Sequence, residues 1–208
     1  MPGSHSEAQP LRDALAATTR AQIVGAAAAL FTELGYVSTS IGAIATRAGV
    51  AVQTIYNSVG NKAAVLSAVL DVAASGPNAP TPVPTFMAER TQAANDAAEV
   101  IAILADWLVE ANTRTATIHW IIRQASAVDE DAAELERTRS KQRLHNYGLA
   151  AAALRERGGL RNGMTDEQAA ATIWSLGHPT AYRSLVIDGG WSIEAYGNWL
   201  RGALESLG

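Results

Sequence analysis

The side chains with the clearest capacity for binding chemistry lie in one short stretch, residues 44–62, which reads IATRAGVAVQTIYNSVGNK. Its second half carries hydroxyls, amides, one tyrosine and one lysine. A short helix over this half would leave the following residues partly exposed: Val52, Gln53, Thr54, Tyr56, Asn57 and Ser58. A surface helix of that size fits the major groove of DNA. The stretch is therefore a candidate DNA-reading surface.

The spacing around this surface predicts a helix-turn-helix, in which two short helices are joined by a turn that contains glycine. Because the helices cross steeply, a small side chain is needed where their backbones touch, and Ala45 meets that need. The turn also needs a residue that tolerates positive φ, which Gly49 supplies. The apolar residues expected to fill the space between the helices are Ile44, Ala48, Val50 and Ile55.

In this region the chain resembles the TetR family of transcriptional regulators. The resemblance covers about residues 18–70, roughly a third of the chain. It rests on a supporting helix from Thr19 to Leu34 and on the residues that follow it: Gly35, Tyr36, Thr39, Ser40, Ile41, Ile44, Ala45, Ala48, Gly49, Val50, Thr54, Ile55, Tyr56 and Lys62. The C-terminal part looks like the ligand-binding portion of the same family.

The resemblance implies a homodimer whose two N-terminal domains read the half-sites of a near-palindromic operator in double-stranded DNA. It assigns phosphate contacts to Thr54, Tyr56 and Lys62. Three basic residues of the same region are expected to add to the neutralisation of phosphates: Arg12, Arg20 and Arg47. Lys62 would stand at a helix start, where the helix dipole also attracts anions.

The same resemblance assigns base reading to Val52, Gln53 and Asn57. An amide side chain can pair with the edge of adenine, and a valine can contact a thymine methyl group.

Three features depart from the family pattern. Val59 stands where an aromatic residue is common, Gln53 where a small residue is frequent, and Ala63-Ala64 lacks the acid that often follows the lysine. The recognition helix also carries no lysine or arginine. We therefore expect a shallower salt dependence of DNA binding than for a strongly basic protein.

Almost every periodic stretch of the chain has the helical period, so the predicted fold class is all-α. It consists of an N-terminal three-helix helix-turn-helix DNA-binding domain and a C-terminal helical bundle for ligand binding and dimerisation. The predicted segments are a flexible N-terminal arm (1–17), the DNA-binding domain (18–64) and the ligand-binding and dimerisation domain (65–208), with a Pro-rich connector at 76–85.

Local signals predict where individual helices begin and end. The expected N-terminal caps are Thr18 or Thr19, Ser40, Asn61, Thr165 and Ser192. Helical pattern is expected from about Met87 to Ala111, in a separate helix at 114–127, and from about Asp131 to Arg157. Gly177 and Pro179 are expected to interrupt the helix that follows.

The ligand site is predicted among aromatic and polar residues of the C-terminal domain. All five tryptophans lie beyond the connector. Aromatic walls suit an apolar or planar small molecule, and His119 and Arg123, four residues apart, could hold a polar group. The predicted ligand-binding residues are Trp107, His119, Trp120, Arg123, Tyr147 and Trp174. Each aromatic could equally be an ordinary core residue, and the two polar residues could be satisfied by local carboxylates.

The last two helices, at about 166–187 and 192–207, are the predicted dimer interface. Small residues would allow close approach, and large apolar residues would supply buried area, so two helices from each subunit would form a four-helix bundle. The predicted interface residues are Ala170, Trp174, Tyr196, Trp199, Leu200, Ala203 and Leu204. Packing within one subunit is the alternative explanation of the same pattern.

Several classes of function lack support in the sequence. The chain has no cysteine, its histidines show no metal-ligand spacing, and no catalytic constellation or phosphate-binding loop can be named. We therefore expect no metal, no cofactor and no enzymatic activity. The net charge of -4 argues against a protein that coats nucleic acid over its whole surface. No uninterrupted apolar run approaches ~18 residues, so we expect no membrane-spanning helix and a cytoplasmic location.

The predicted function is a ligand-responsive DNA-binding transcriptional regulator, most simply a repressor, that binds a palindromic operator as a homodimer. The first alternative is a small-molecule-binding helical dimer with weak or lost DNA binding, which the uncharged recognition helix motivates. The second is an all-α enzyme that uses the C-terminal domain.

Overall fold

The fold is built from helices joined by short connections. It is taken from a computed structural model, which describes residues 8–76 and 82–208. In chain order the helices are α1 (Ala8–Ser38), α2 (Ile41–Ala48), α3 (Val52–Ser58), α4 (Lys62–Ser75), α5 (Val83–Gln92), α6 (Ala97–Ala125), α7 (Glu130–Glu156), α8 (Asp166–Leu176), α9 (Pro179–Tyr182) and α10 (Ile193–Glu205). A π-helical segment, Arg183–Asp188, continues α9. The described residues contain no strand, and the all-α prediction is confirmed.

The chain divides into two compact units that interleave along the sequence. The first unit comprises Met1–Asp71 and Ile121–Leu135, and the second comprises Val72–Trp120 and Glu136–Gly208. Residues around the connection from α6 to α7 therefore pack with the N-terminal helices. The predicted division into 18–64 and 65–208 assigns each domain one continuous segment. It therefore does not place Ile121–Leu135 with the N-terminal helices.

The core of the first unit is built by the apolar face of α1. Residues at helical spacing on this face are buried: Ile23, Ala27, Leu30 and Phe31. Gly35, with φ 76°, breaks α1 near its C-terminal end, as predicted. Beyond the break, the Tyr36 ring stacks on Phe31 with 5.8 Å between ring centres. The buried Thr39 hydroxyl donates to the carbonyls of Leu30 and Gly35 and so closes the end of α1.

Helix α1 begins earlier than its cap signal predicts. The helix starts at Ala8, so Thr18 and Thr19 lie in its interior. The Thr18 hydroxyl donates to the carbonyl of Ala14 one turn earlier and caps nothing. The predicted flexible arm, 1–17, is thus helical from residue 8, and residues 1–7 lie outside the described part of the chain.

Helix α1 also has the length and apolar composition of a membrane-spanning helix. The segment Arg12–Ser38 is the one such segment among the described residues. A single helix of this kind is weak evidence for a membrane span, because the core helix of a soluble protein can have the same length and composition. Its buried face, which includes Ile23 and Phe31, packs in the core of the first unit.

The other predicted caps are present. The side chains of Ser40, Asn61 and Ser192 accept hydrogen bonds from backbone N–H groups three residues further on. Thr165 forms a full capping box with Gln168.

The second unit has one large apolar core. Its fully buried members include Val100 on α6, Leu154 on α7, Ile173 on α8, and Leu200 and Leu204 on α10. Helix α6 runs unbroken from Ala97 to Ala125, so the two helices predicted at 87–111 and 114–127 are wrong. The interruption lies earlier, at 93–96, after a helix that already begins at Val83 within the predicted connector.

The connection between α8 and α9 is fixed by buried contacts. Helix α8 ends at Leu176, and α9 begins at Pro179, as Gly177 and Pro179 predict. A Cβ on Gly177 would lie 2.7 Å from the Leu108 side chain, so α6 packs directly against this backbone. The buried Asn112 amide donates to the Gly177 carbonyl (3.0 Å) and to the Tyr196 hydroxyl (3.1 Å).

Candidate functional site

The turn between α2 and α3 has the geometry that the sequence predicts. Gly49 is left-handed, with φ 69° and ψ 31°, and its N–H caps the end of α2. The Val50 N–H then donates to the Ala45 carbonyl at 3.0 Å, which closes the turn. Ile44 and Ile55 are fully buried on either side of it. The turn and its apolar contacts therefore fix the orientation of α3 within the first unit.

Helix α3 presents one face to solvent. Ile55 is its single buried residue, whereas Val52 is 44% exposed and Tyr56 is 49% exposed. Gln53 and Asn57 lie beside them, and the Gln53 Nε2 donates to the Asn57 Oδ1 at 2.9 Å. This hydrogen bond leaves the Gln53 carbonyl oxygen and the Asn57 amino group available to other partners. The exposed face thus combines apolar, aromatic and amide groups, while Thr54 is half-buried.

The cation predicted on α2 is already paired. Both terminal nitrogens of Arg47 donate to the carboxylate of Glu33 on α1, at 2.7 and 2.9 Å. The hydrogen bond from Arg47 lowers the pKa of Glu33. Both side chains are exposed, so the pair is worth little to stability, but it reduces the positive charge that Arg47 offers.

Lys62, the other predicted phosphate-binding cation, is held over an aromatic ring. Its Nζ lies 4.0 Å from the centre of the Tyr36 ring, and the Tyr36 hydroxyl donates to Asp129 Oδ2 at 2.8 Å. Partial burial lowers the pKa of Lys62, and the nearby Asp129 carboxylate opposes this effect. The Tyr36 hydrogen bond in turn lowers the pKa of Asp129.

Two acidic residues beyond α6 complete this arrangement, and neither is among the residues predicted from the sequence. Asp129 contacts Tyr36, and Asp131 accepts a hydrogen bond from the Asn61 amide at 2.8 Å. Asn61 uses its other end to cap α4. No local signal reveals these contacts, because Tyr36 and Asp129 are 93 residues apart.

Arg20 fixes the far end of α3. Its Nη1 donates to the carbonyl of Ser58, the last residue of the helix, at 2.7 Å. A cation at a helix C-terminus is favourably placed with respect to the helix dipole.

Sequence comparison identifies this arrangement of helices. Residues 23–69 match the model of a family described as bacterial regulatory proteins, tetR family. This segment of the chain is therefore similar to the DNA-binding region of TetR-family transcriptional regulators. The matched residues include α2, α3 and the start of α4, which form the surface described above. The predicted resemblance to the TetR family is confirmed. The members of this family are transcriptional regulators and not enzymes, which agrees with the prediction that the chain is not an enzyme.

Solved structures extend the likeness of fold over most of the chain. NalD of Pseudomonas aeruginosa, the secondary repressor of the MexAB-OprM multidrug efflux pump, is 21% identical; the match covers 91% of this chain and 96% of NalD, with a TM-score of 0.70. The fatty acid degradation regulator FadR from Bacillus halodurans is 20% identical over 90% of this chain and 94% of its own, with a TM-score of 0.72. SmeT, solved as a complex with triclosan, is 23% identical over 91% and 89%, with a TM-score of 0.67. The comparison with curated proteins gave no match.

The predicted ligand-binding residues of the C-terminal region fall into four environments. Trp107 is buried against Phe86, edge to face, with 4.9 Å between ring centres. Trp120 is half-buried beneath the Arg183 guanidinium, whose carbon lies 4.4 Å from the ring centre. Arg123 is exposed and lies one turn after His119 on the unbroken helix α6.

The remaining three residues belong to a polar cluster inside the second unit. Arg143 Nη1 lies 3.0 Å from each ring nitrogen of His119. Tyr147, one turn beyond Arg143 on α7, is buried, and burial raises the pKa of its hydroxyl. The Trp174 ring contacts the His178 ring with 5.0 Å between centres. We call these five residues the buried polar cluster: His119, Arg143, Tyr147, Trp174 and His178. Tyr147 is buried, and the other four members are half-buried.

Arg143, the central residue of the buried polar cluster, is not among the residues predicted from the sequence. It lies in the charge-rich run 129–143, which is typical of a solvated helix face. Burial, and then the Arg143 charge, lower the pKa of His119 well below its usual range, so this imidazole is neutral at neutral pH. Among the described residues, no group of three or more His, Asp or Glu side chains could hold a metal ion.

The predicted dimer interface needs correction. Tyr196, Leu200 and Leu204 are fully buried in the core of their own subunit, and Ala170 is buried beside them. These four residues are therefore unavailable to a second chain. Trp174, Trp199 and Ala203 are half-buried. Most exposed residues of α8 and α10 are small, polar or charged, among them Ala171, Ser175, Ala195, Asn198 and Gly202, and one large apolar residue, Ile193, is also exposed.

Proposed function

We propose that this chain is a ligand-responsive repressor that binds a near-palindromic operator as a homodimer, with α3 as its recognition helix. The exposed face of α3 carries this proposal. Val52 and Tyr56 are large apolar residues left open to solvent on a helix whose position is otherwise fixed by buried contacts. Between them, the Gln53 and Asn57 amides supply an acceptor and a donor for base edges.

The proposed contacts divide between bases and phosphates. Val52, Gln53 and Asn57 would contact base edges in the major groove, while Thr54 and Tyr56 would bind the flanking phosphates. Lys62 stands at the first turn of α4, where the helix dipole adds to its charge. The contact with the Tyr36 ring would hold the Lys62 ammonium in one position and limit the range of phosphates that it could contact.

Homodimerisation would use the outer sides of α8 and α10. The exposed residues there, including Ala171, Ser175 and Gly202, are small enough to let helices of two subunits approach closely. TetR-family regulators form homodimers, and a twofold assembly matches a near-palindromic operator. In such a dimer the recognition helices would contact half-sites about one DNA turn apart, ~34–36 Å, or a multiple of it.

The effector would bind in the second unit and shift the dimer toward a state with a different spacing of its recognition helices. Such a shift can be no larger than the difference in the effector's affinity for the two states. SmeT was solved with triclosan, and TetR-family regulators generally respond to small molecules. By analogy, the effector here would have an apolar or aromatic body. TetR-family regulators are typically cytoplasmic, and we place this chain there too.

The test is selection of bound fragments from a random pool of double-stranded DNA, followed by anisotropy titration of the enriched sequence. Tyr56→Ala and Gln53→Ala should each weaken binding about tenfold or more. Gln92→Ala, which truncates an exposed glutamine at the end of α5 in the second unit, should leave it unchanged. Failure to enrich any sequence at low salt would refute the proposal that the chain is a DNA-binding repressor.

One alternative has a specific observation in its favour. Arg47 is paired with Glu33, Lys62 is held over Tyr36, and α3 itself carries no cation. A helical dimer that binds a small molecule but holds DNA weakly would have these properties. Sequence-dependent binding that weakens as salt rises would exclude it.

A further inference from the structure

The buried polar cluster contains two hydrogen-bond donors that the protein itself does not satisfy. Arg143 Nε and Trp174 Nε1 are both buried, and neither has a hydrogen-bond partner among the described residues. A buried donor without an acceptor destabilises a protein by roughly 1–3 kcal/mol, and more when it is charged. Native structures contain few such groups, so two in one cluster call for a bound acceptor.

The two orphaned donors are connected through the histidines between them. Arg143 lies 3.0 Å from the His119 ring nitrogens, and the electrostatic influence of His178 reaches His119. The His178 ring in turn contacts Trp174 at 5.0 Å. Each donor therefore lies beside one of these two histidines within the second unit.

The unsatisfied edge of Arg143 has a definite shape. Nη1 is engaged by His119, whereas Nη2 has only a 3.4 Å contact with the Ser140 hydroxyl and Nε has no partner. Nε–H and one Nη2–H lie in the guanidinium plane and point in parallel from the same edge. This is the edge that binds a carboxylate side-on through two hydrogen bonds.

The charge balance points in the same direction. A guanidinium stays protonated in proteins, and Arg143 forms no ion pair with a carboxylate in the part of the chain that the structure describes. Glu136, two turns earlier on α7, acts on it only at longer range. His119 is neutral and cannot share the binding of an anion as a second cation. One uncompensated positive charge matches one negative charge on a ligand.

We propose that the buried polar cluster binds an organic monocarboxylate, with the carboxylate side-on to Arg143 and an aromatic or aliphatic body against Trp174 and Tyr147. This inference rests on the proposed function, because it specifies the chemical class of the effector. Arg143 selects the acid group. Trp174 supplies an apolar wall, and its indole N–H donates to an oxygen of the ligand.

Matched pairs of acids and amides test the proposal on the whole purified protein without DNA. The probes are benzoate with benzamide, naphthalene-2-carboxylate with naphthalene-2-carboxamide, and octanoate with octanamide. Within a pair the body is constant, so the difference in affinity reports the carboxylate. Isothermal calorimetry at pH 7.5 measures binding, and quenching of tryptophan fluorescence provides a second readout.

For at least one pair, the acid should bind the wild type about tenfold or more tightly than its amide. Arg143→Gln should abolish that preference. Arg143→Lys, which retains the charge but not the side-on edge, should retain only part of it. Lys141→Gln makes the same change of charge at an exposed position on α7 and should retain all of it. Melting curves of each variant establish that it is folded.

The proposal is overturned if no acid binds more tightly than its amide, or if the preference survives in Arg143→Gln. Because these measurements contain no DNA, they are independent of the repressor assay. A protein that prefers acids but selects no operator would refute the repressor and leave the carboxylate site standing. A protein that selects an operator but binds no acid more tightly than its amide would refute the carboxylate site and support the repressor.

Discussion

Lys62 Nζ lies 4.0 Å above the Tyr36 ring, and the same ring carries the hydroxyl that donates to Asp129. The tyrosine therefore links the first residue of α4 to the connection between α6 and α7 within the first unit. A cation over an aromatic face contributes roughly 0.5–1 kcal/mol at exposed sites, and more when it is partly desolvated. The position of α4 relative to α1 thus depends on a lysine that the sequence suggests only as a DNA contact.

Tyr36→Phe should lower the free energy of unfolding by about 1–2 kcal/mol. The change removes the hydrogen bond to Asp129 but keeps the ring beneath Lys62, and hydrogen bonds to charged groups are worth more than neutral ones. Urea denaturation measures the effect. The matched control is Tyr56→Phe, which removes an exposed hydroxyl and should change the free energy by less than about 0.5 kcal/mol. Equal effects from the two substitutions would show that the Tyr36 hydrogen bond contributes nothing.

Gly49→Ala should destabilise the first unit by about 1 kcal/mol. Space is not the reason, because a Cβ at this position would meet no atom within 4 Å. The reason is the left-handed backbone, with φ 69°, which disfavours any residue with a Cβ. Gly42→Ala on the neighbouring helix serves as control: its Cβ would meet only the Ser40 hydroxyl, at 3.8 Å, and alanine favours the helix. Thermal melts should therefore shift in opposite directions for the two variants.

Glu33→Gln should increase operator affinity and its dependence on salt. The change breaks the two-bond pair with Arg47 and frees a guanidinium next to the proposed DNA surface. If Arg47 then neutralises one more phosphate, the slope of log K against log salt should steepen by about 0.9. Glu89→Gln on α5 makes the same change of charge in the second unit and should leave the slope unchanged. An unaltered slope for Glu33→Gln would mean that Arg47 stands away from the DNA.

The helix-turn-helix could be predicted because its signals are local. Ser40, Gly49 and Asn61 each act within four residues of their own positions, so side-chain chemistry alone assigns their roles. The length of α6 could not be predicted in the same way. Polar residues interrupt its apolar pattern, and Asn112 and Thr115 are nevertheless buried.

The errors in the candidate sites have a common physical origin. The stripe formed by Tyr196, Leu200 and Leu204 has helical spacing, which is the same whether the stripe faces a subunit's own core or a partner. Arg143 was missed because its neighbour His119 is 24 residues away and its charge suggests exposure. Periodicity identifies a helix face but not what covers it.

The free energy of unfolding should fall as pH is lowered from about 7.5 to 5.5, and His119 should account for part of the fall. Burial lowers the pKa of His119 in the folded state, so above the unfolded value of about 6.5 both states hold a neutral imidazole and stability is complete. As pH falls below 6.5, the unfolded chain gains a proton that the folded chain does not. Stability then declines by at most about 1.4 kcal/mol per pH unit until the folded pKa is reached.

His119→Gln should remove that contribution, as measured by urea denaturation at the two pH values. His145→Gln replaces an exposed histidine on α7 and should keep the pH dependence of the wild type. A pH dependence identical in wild type and His119→Gln would mean that this imidazole is accessible to protons in the folded protein.

Arg143→Met should leave the unliganded protein as stable as the wild type, or more stable. The substitution removes a buried charge without a carboxylate partner and keeps most of the apolar stem in place. Replacing buried charges by apolar residues of similar volume is often neutral or stabilising. Such a result would indicate that the arginine is kept for binding at the expense of stability, which is a common property of functional residues.

Melting temperatures with and without naphthalene-2-carboxylate distinguish the two roles of Arg143. The acid should raise the melting temperature of the wild type and of Lys141→Met, because a ligand that binds the folded state stabilises it, but should not raise that of Arg143→Met. Loss of several kcal/mol in unliganded Arg143→Met would instead assign the arginine a structural role, through its contact with His119.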